Sequence, residues 1–171
     1  EFPGVMLRGR RLGIIGCGRI GQRVASYARA FGMEVWGYDP HVSPWPRDIK
    51  KVELDELGKE SDFVSVHVHL SDLTVNLLDR KFLENMKVGS ILINTSRGAI
   101  VDEAALLHGL KAGVIGGYGA DVLVGEPQVQ SHPLIQYSNQ HDNVILTPHC
   151  GGYSPDAIRL VCNRATQKIV D

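Results

Sequence analysis

At 171 residues the chain can bury one substantial core, and its 43% hydrophobic and 22% charged content is ordinary for a globular domain. A formal net charge of -1 gives no electrostatic drive toward nucleic acid or an anionic membrane, and no apolar run is long enough to span a bilayer. The three cysteines, Cys17, Cys150 and Cys162, are odd in number and lack metal-ligand spacing, which predicts reduced thiols in a cytoplasmic setting.

Arg8, Arg10 and Arg11 lead into the short apolar strand Leu12 to Ile15 rather than into the long apolar segment of a secretory leader. Gly16-Cys17-Gly18-Arg19-Ile20-Gly21 follows, then a helix in which Ile20, Val24, Ala28 and Phe31 recur at helical spacing and could face a sheet. Val35 to Tyr38 reads as a second strand closed by Asp39. Pro40, Pro44 and Pro46 then interrupt regular structure, and Glu53 to Lys59 offers a short helix. Asp62 to Val68 is predicted as a third strand. Asp79 can cap a helix running through Met86, and Ser90 to Asn94 makes a fourth strand. Asp102 can cap the next helix, which carries Leu106, Leu107 and Leu110 and stops at Gly113. Val114 to Asp121 suggests a fifth strand despite three glycines, and Val122 to Asn143 has no clear periodicity. Val144 to Leu146 is a sixth strand. Ser154 as N-cap, Pro155 at the first helical position and Asp156 in the first turn open a last helix. Strands alternating with helices predict one α/β domain, a doubly wound parallel sheet of Rossmann type covering residues 1–171.

The strand, glycine turn, helix and closing acid form a dinucleotide-binding fingerprint. Gly16 allows the tight turn, Gly18 lets backbone approach a pyrophosphate, and Gly21 lets the helix pack close to the sheet. The helix N-terminus then faces the phosphates with its unpaired amides. Asp39 falls where an acid accepts hydrogen bonds from the adenosine ribose hydroxyls and repels a 2'-phosphate, so NAD is expected rather than NADP.

In such a sheet, ligands collect beyond the carboxyl ends of the strands. Arg97 follows the fourth strand, Glu126 the fifth and His149 the sixth, so these three candidate catalytic residues should share one rim. An arginine fork matches a carboxylate, a histidine exchanges a proton near neutral pH, and a carboxylate orients and stabilises the imidazolium. Beside a nicotinamide they suit hydride transfer between a 2-hydroxy acid and a 2-oxo acid.

At these residues the sequence resembles the NAD-dependent D-2-hydroxyacid dehydrogenase family. The matching segments are Gly16 to Gly21, Tyr38-Asp39-Pro40, Asn94-Thr95-Ser96-Arg97-Gly98 with Val101-Asp102, Ala120-Asp121-Val122 with Glu126-Pro127, and Thr147-Pro148-His149. The resemblance implies that Arg97 binds the substrate carboxylate or carbonyl, that His149 is the acid/base, and that Glu126 pairs with His149. It also implies NAD contacts from Arg19, Ile20, Asp39, Asp121, the backbone of Thr95, Ser96 and Arg97, and the run His149, Cys150, Gly151 and Gly152. A homodimer formed through cofactor domains is a further implication.

Two departures from the family pattern stand out. His69 occupies a position after the third strand where the family often has proline, and almost nothing precedes the first strand. The expectation is therefore a cofactor domain whose substrate domain is absent or truncated. His67 and His69 are expected to share a strand face and could in principle ligate a metal, but no third ligand accompanies them and no metal is expected. Cys150 is read as an ordinary thiol despite its neighbour His149, and Trp36 and Phe63 as core residues rather than stacking groups. The alternative to an enzyme is an NAD-sensing binding module, as in transcriptional corepressors that resemble this family.

Overall fold

The computed structural model describes residues 4–170. Seven strands form one sheet: β1 (Arg11–Ile15), β2 (Glu34–Tyr38), β3 (Lys50–Lys51), β4 (Phe63–Val66), β5 (Ser90–Asn94), β6 (Ile115–Ala120) and β7 (Val144–Leu146). Their spatial order is β3-β2-β1-β4-β5-β6-β7, and every neighbouring pair is parallel. The order reverses between β1 and β4, so the loops leaving those two strands diverge and open a crevice at the rim.

Five helices connect and cover the sheet, α1 (Arg19–Ala30), α2 (Leu54–Glu60), α3 (Arg80–Glu84), α4 (Glu103–Lys111) and α5 (Pro133–Ser138), and α6 (Pro155–Val170) follows β7 with Ile158, Leu160 and Val161 exposed. Side chains of β1 alternate between two apolar layers, as a parallel strand buried on both faces requires. Leu12 and Ile14 pack with Ala25, Ala28 and Val35 on one face, while Ile15 joins Leu57, Val64, Leu92, Leu106 and Ile115 on the other. Trp36 and Phe63 both belong to these layers, Trp36 being 5% exposed with Arg11 and Lys50 over its ring.

The caps follow the sequence closely. Asp79 accepts the Phe82 amide, Asp102 accepts the Ala105 amide, and Ser154 accepts the Ala157 amide. Gly113, at φ +72°, ends the turn that follows α4 in the left-handed conformation that favours glycine.

Four expectations are corrected. The face that α1 buries is Gly21, Ala25 and Ala28, whereas Ile20 and Phe31 lie 66% and 62% exposed. The cause is proximity: a Cβ on Gly21 would stand 2.1 Å from the Gly16 carbonyl oxygen, so only small residues fit against the sheet. Next, the third predicted strand ends at Val66. The His67 amide still donates to Ile15 at 2.7 Å, but the chain then leaves the sheet, and His67 and His69 do not share a strand face. β3 was missed because it is two lysines, a length and composition that carry no apolar alternation; it makes one edge of the sheet, where lysine discourages further pairing. Finally, the aperiodic stretch after Val122 contains α5, too short for helical period to show. Its signal was Pro133 at the first helical position behind His132, which caps it.

Gly21→Ala is expected to destabilise the chain by about 1–3 kcal/mol, seen as a lower urea midpoint. Gly18→Ala, where an added Cβ meets nothing within 4 Å, should shift stability by less than about 0.5 kcal/mol.

Candidate functional site

The glycine turn joins β1 to α1 at the point where the strand order reverses. Gly16 sits at φ +93°, and a Cβ there would lie 2.7 Å from the His67 backbone. Gly18 is the N-cap of α1 and supplies no side-chain cap, the first turn carries no acid, and Arg19 is its first residue. A helix start of this kind concentrates positive potential from its free amides and from the guanidinium, with no acid in its own first turn. With open space over Gly18, it fits a phosphate-bearing ligand. Gly18, Arg19 and Ile20 line a hollow of about 370 Å³ together with Arg23 and His67. A second cavity of about 510 Å³ continues from Gly16 and Gly18 to Tyr38, Asp39, His41 and His69. The two adjoin through Gly18 and His67, making one groove of a size suited to a dinucleotide.

Asp39 stands at the end of β2, as expected, but its carboxylate is already engaged. Oδ2 accepts the Cys17 amide at 2.9 Å, and Oδ1 accepts the amides of His41 and Val42 at 2.8 and 3.1 Å. Asp39 thus braces the glycine turn. A carboxylate has about four acceptor sites, so one remains for a ribose hydroxyl. Cys17 lies buried behind the turn, and burial, with Asp39 adding to it, pushes its thiol pKa up to about 12, leaving it an unreactive core group.

The loop after β5 carries Thr95, Ser96 and Arg97. Asn94, fully buried, donates to the Arg97 carbonyl and accepts the Ser96 amide, while the Ser96 hydroxyl donates to Val66 at the end of β4. These bonds fix the backbone of Arg97 and leave its guanidinium exposed at the rim, where Nη1 donates to the Ser96 carbonyl at 2.6 Å.

Glu126 and His149 meet. His149 Nδ1 lies 2.6 Å from Glu126 Oε2, and Glu126 Oε1 accepts the Leu123 amide at 2.6 Å. An ionised carboxylate only accepts, so the proton of this bond resides on Nδ1 and Nε2 is left for another partner. The imidazole is 47% exposed. Its backbone is at φ +52°, a sparsely populated conformation for a residue with a Cβ and one that structures retain where surrounding contacts impose it. The two side chains form part of the wall of a cavity of about 680 Å³ whose other walls are mostly apolar, including Leu123, Pro127, Ile135 and Leu146. Arg97 makes no hydrogen bond to this pair. The structure therefore unites two of the three candidate catalytic residues directly and holds the third by its backbone.

Asp121 supplies the imposing contacts on the His149 segment. It is 8% exposed; Oδ1 accepts the Cys150 amide at 3.0 Å and the Thr147 hydroxyl, and Oδ2 accepts the Gly151 amide at 2.8 Å. Burial opposes ionisation here, but the bonds from Thr147, Gly151 and Cys150 outweigh it and hold the carboxyl below its ordinary value. A side chain at Gly151 would press against this carboxylate at 2.9 Å. Cys150, Gly151 and Gly152 are themselves exposed at the rim. Sequence reasoning gave no role to Asn94 and Thr147, although both stand in the matching segments, and passed over Glu103 and His132; all four position their neighbours. The signal for Asn94 was a polar residue closing an otherwise apolar strand.

Residues 1–151 match the family model described as D-isomer specific 2-hydroxyacid dehydrogenase, NAD binding domain. A hydroxypyruvate reductase from Thermotoga maritima is 40% identical over 98% of this chain and 54% of its own length. Among solved structures, a D-2-hydroxyisocaproate dehydrogenase superposes with a TM-score of 0.91 at 30% identity, covering 99% of this chain and 55% of that one. A D-lactate dehydrogenase from Aquifex aeolicus, solved with NAD and lactic acid, gives 0.83 at 35% identity over 94% and 52%. The chain thus spans about half the length of these relatives, and 30% of a D-3-phosphoglycerate dehydrogenase from Methanocaldococcus jannaschii that is 41% identical over 92% of this chain.

Because the Asp121 pKa is depressed in the folded state, its contribution to stability is complete above the unfolded value of about 3.9 and is lost as pH falls through the lower folded value. Asp121→Asn should remove that part of the acid dependence. It should also speed hydrogen exchange at the Gly151 amide, which would then face the amide group instead of a carboxylate. Unchanged exchange would show that Asp121 does not hold this segment.

Proposed function

The chain belongs to the D-isomer specific 2-hydroxyacid dehydrogenase family as its NAD-binding domain, and from that membership we propose that it is the cofactor half of an enzyme interconverting 2-hydroxy and 2-oxo acids. The observation that carries the proposal is the Glu126–His149 pair at 2.6 Å on the rim that also bears Arg97 and the glycine turn. The groove fits NAD: an uncapped, acid-free helix start for the pyrophosphate, and Asp39 with an acceptor site for the ribose. Arg19, Ile20 and the glycines Gly16, Gly18 and Gly21 would hold the phosphates. The Thr95 to Arg97 backbone and the Cys150 to Gly152 segment braced by Asp121 would flank the nicotinamide end. When bound, NAD supplies the two-electron acceptor and donor for the reaction.

The chain's own residues supply orientation and the proton. The Arg97 guanidinium, exposed and always charged, presents a fork to the substrate carboxylate or carbonyl. His149 Nε2, with its ring turned by Glu126, takes the proton of the substrate hydroxyl in oxidation and returns it to the carbonyl oxygen in reduction. Glu126 fixes the tautomer and stabilises the imidazolium without needing to take the proton itself.

The relatives compared above are named as reductases and dehydrogenases, which favours oxidoreduction over an NAD-sensing module. Within this reading the substrate is a small 2-hydroxy or 2-oxo acid, a separate substrate domain completes the pocket, and the protein is a homodimer of the cytoplasm. The three free cysteines accord with that compartment, and among the described residues no helix is long and apolar enough to cross a membrane.

His149→Ala in the intact protein is expected to lower kcat for 2-oxo acid reduction by about a hundredfold or more while leaving the Kd for NADH within a few-fold. Equal loss of binding and turnover would assign His149 a structural role. Asp39→Ala should weaken NADH binding and narrow its advantage over NADPH, measured by fluorescence titration; unchanged affinities for both would refute the ribose assignment.

A further inference from the structure

Outside the cleft lies a second histidine–carboxylate pair that the reaction above does not use. Glu103 opens α4 and His132 caps α5, and their side chains are only 11% and 12% exposed. His132 Nε2 is 2.9 Å from Glu103 Oε2, while Glu103 Oε1 accepts the Val124 amide at 3.0 Å. His132 Nδ1 accepts the Leu134 amide at 3.2 Å, so the neutral ring carries its proton on Nε2 and donates it to Glu103. A carboxylate this deeply placed is costly unless its oxygens are hydrogen-bonded, and each has a partner.

The Val124 amide is the consequential one. The preceding amide, of Leu123, donates to Glu126, whose other oxygen meets His149. On the opposite side, a Cβ on Gly98 would stand 2.2 Å from the Leu123 carbonyl carbon, so the residue following Arg97 is pressed against the same peptide unit. The two peptides that flank Leu123 are therefore where these supports meet: Leu123–Val124 takes Glu103 and the backbone of Gly98, and the adjoining Val122–Leu123 carries the amide that holds Glu126.

We propose that Glu103 and His132 are positioning residues: by holding the Leu123–Val124 peptide they place Glu126 so that it keeps the His149 proton on Nδ1. The catalytic consequence rests on His149 being the acid/base, but the positioning itself does not. Releasing Glu103 lets the Leu123–Val124 peptide rotate, and through the Leu123 Cα this displaces the adjoining Leu123 amide that sets the reach of Glu126. A histidine without such a partner is free to carry its proton on Nε2, the nitrogen that must be open to the substrate.

Three substitutions separate positioning from mere stabilisation. Glu103→Gln keeps the shape but turns an amide group toward the His132 Nε2 proton. His132→Asn retains an oxygen to cap α5 but is too short to reach Glu103, whereas His132→Gln can reach Glu103 but sacrifices the cap. Nitrogen NMR of isotopically labelled histidine in the intact protein, above the pH at which histidines carry charge, reads the His149 tautomer without reference to activity. Wild type should show Nδ1–H. Glu103→Gln and His132→Asn should shift His149 toward Nε2–H and lower kcat about tenfold or more, with KM for the oxo acid changing less than about threefold. His132→Gln should preserve both.

An Nδ1–H signal in folded Glu103→Gln and His132→Asn matching that of wild type would overturn the proposal, as would a defect confined to His132→Gln, which would reduce His132 to a helix cap. If wild type binds NADH but reduces no 2-oxo acid, the functional reading fails, and the tautomer shift still decides the positioning.

Discussion

A parallel sheet delivers the ends of all its strands to one rim, and the loops leaving that rim carry amides with no ladder to join. Carboxylates answer this need repeatedly here. Asp39 takes the amides of Cys17, His41 and Val42, Asp121 those of Cys150 and Gly151, Glu126 that of Leu123, and Glu103 that of Val124. Each is an acceptor with two oxygens, so one side chain can tie two points of backbone together. The groove depends on these ties because its working parts are loops, and loops without such partners would sample many conformations.

The same device explains why acids in the fingerprint have two tasks. Asp39 braces the glycine turn from behind and keeps an acceptor site toward the groove. Glu126 is held by Leu123 through one oxygen and holds His149 through the other. Asp121, by contrast, lies buried with both oxygens on backbone and hydroxyl donors and presents the Cys150–Gly151 backbone rather than itself. Side chains at this rim are thus arranged in pairs, one fixed and one fixing. At the glycine turn the ties leave an uncapped helix start where a ligand can complete the bonding.

Much of this was legible in the amino-acid order. Strong apolar runs at β1, β2, β5 and β7 and the caps at Asp79, Asp102 and Ser154 reported themselves through composition and local chemistry. Glu126 and His149 could be assigned to one rim because parallel topology forces it. What escaped was set by distance rather than pattern. The buried stripe of α1 is Gly21, Ala25 and Ala28 because the sheet stands too close for Ile20, a fact that periodicity alone cannot express. β3 and α5 are too short to show a period. The Glu103–His132 pair joins residues 29 positions apart that no motif links.

The proposed role of this rim is to move a proton in step with oxidoreduction of a 2-hydroxy or 2-oxo acid. The most direct measurement is single turnover: NADH is bound to the intact protein without excess, a 2-oxo acid is added, and cofactor fluorescence and product are followed together. Stoichiometric loss of NADH with formation of the D-2-hydroxy acid is the predicted result. Tight NADH binding that persists unoxidised across a panel of 2-oxo acids would contradict it.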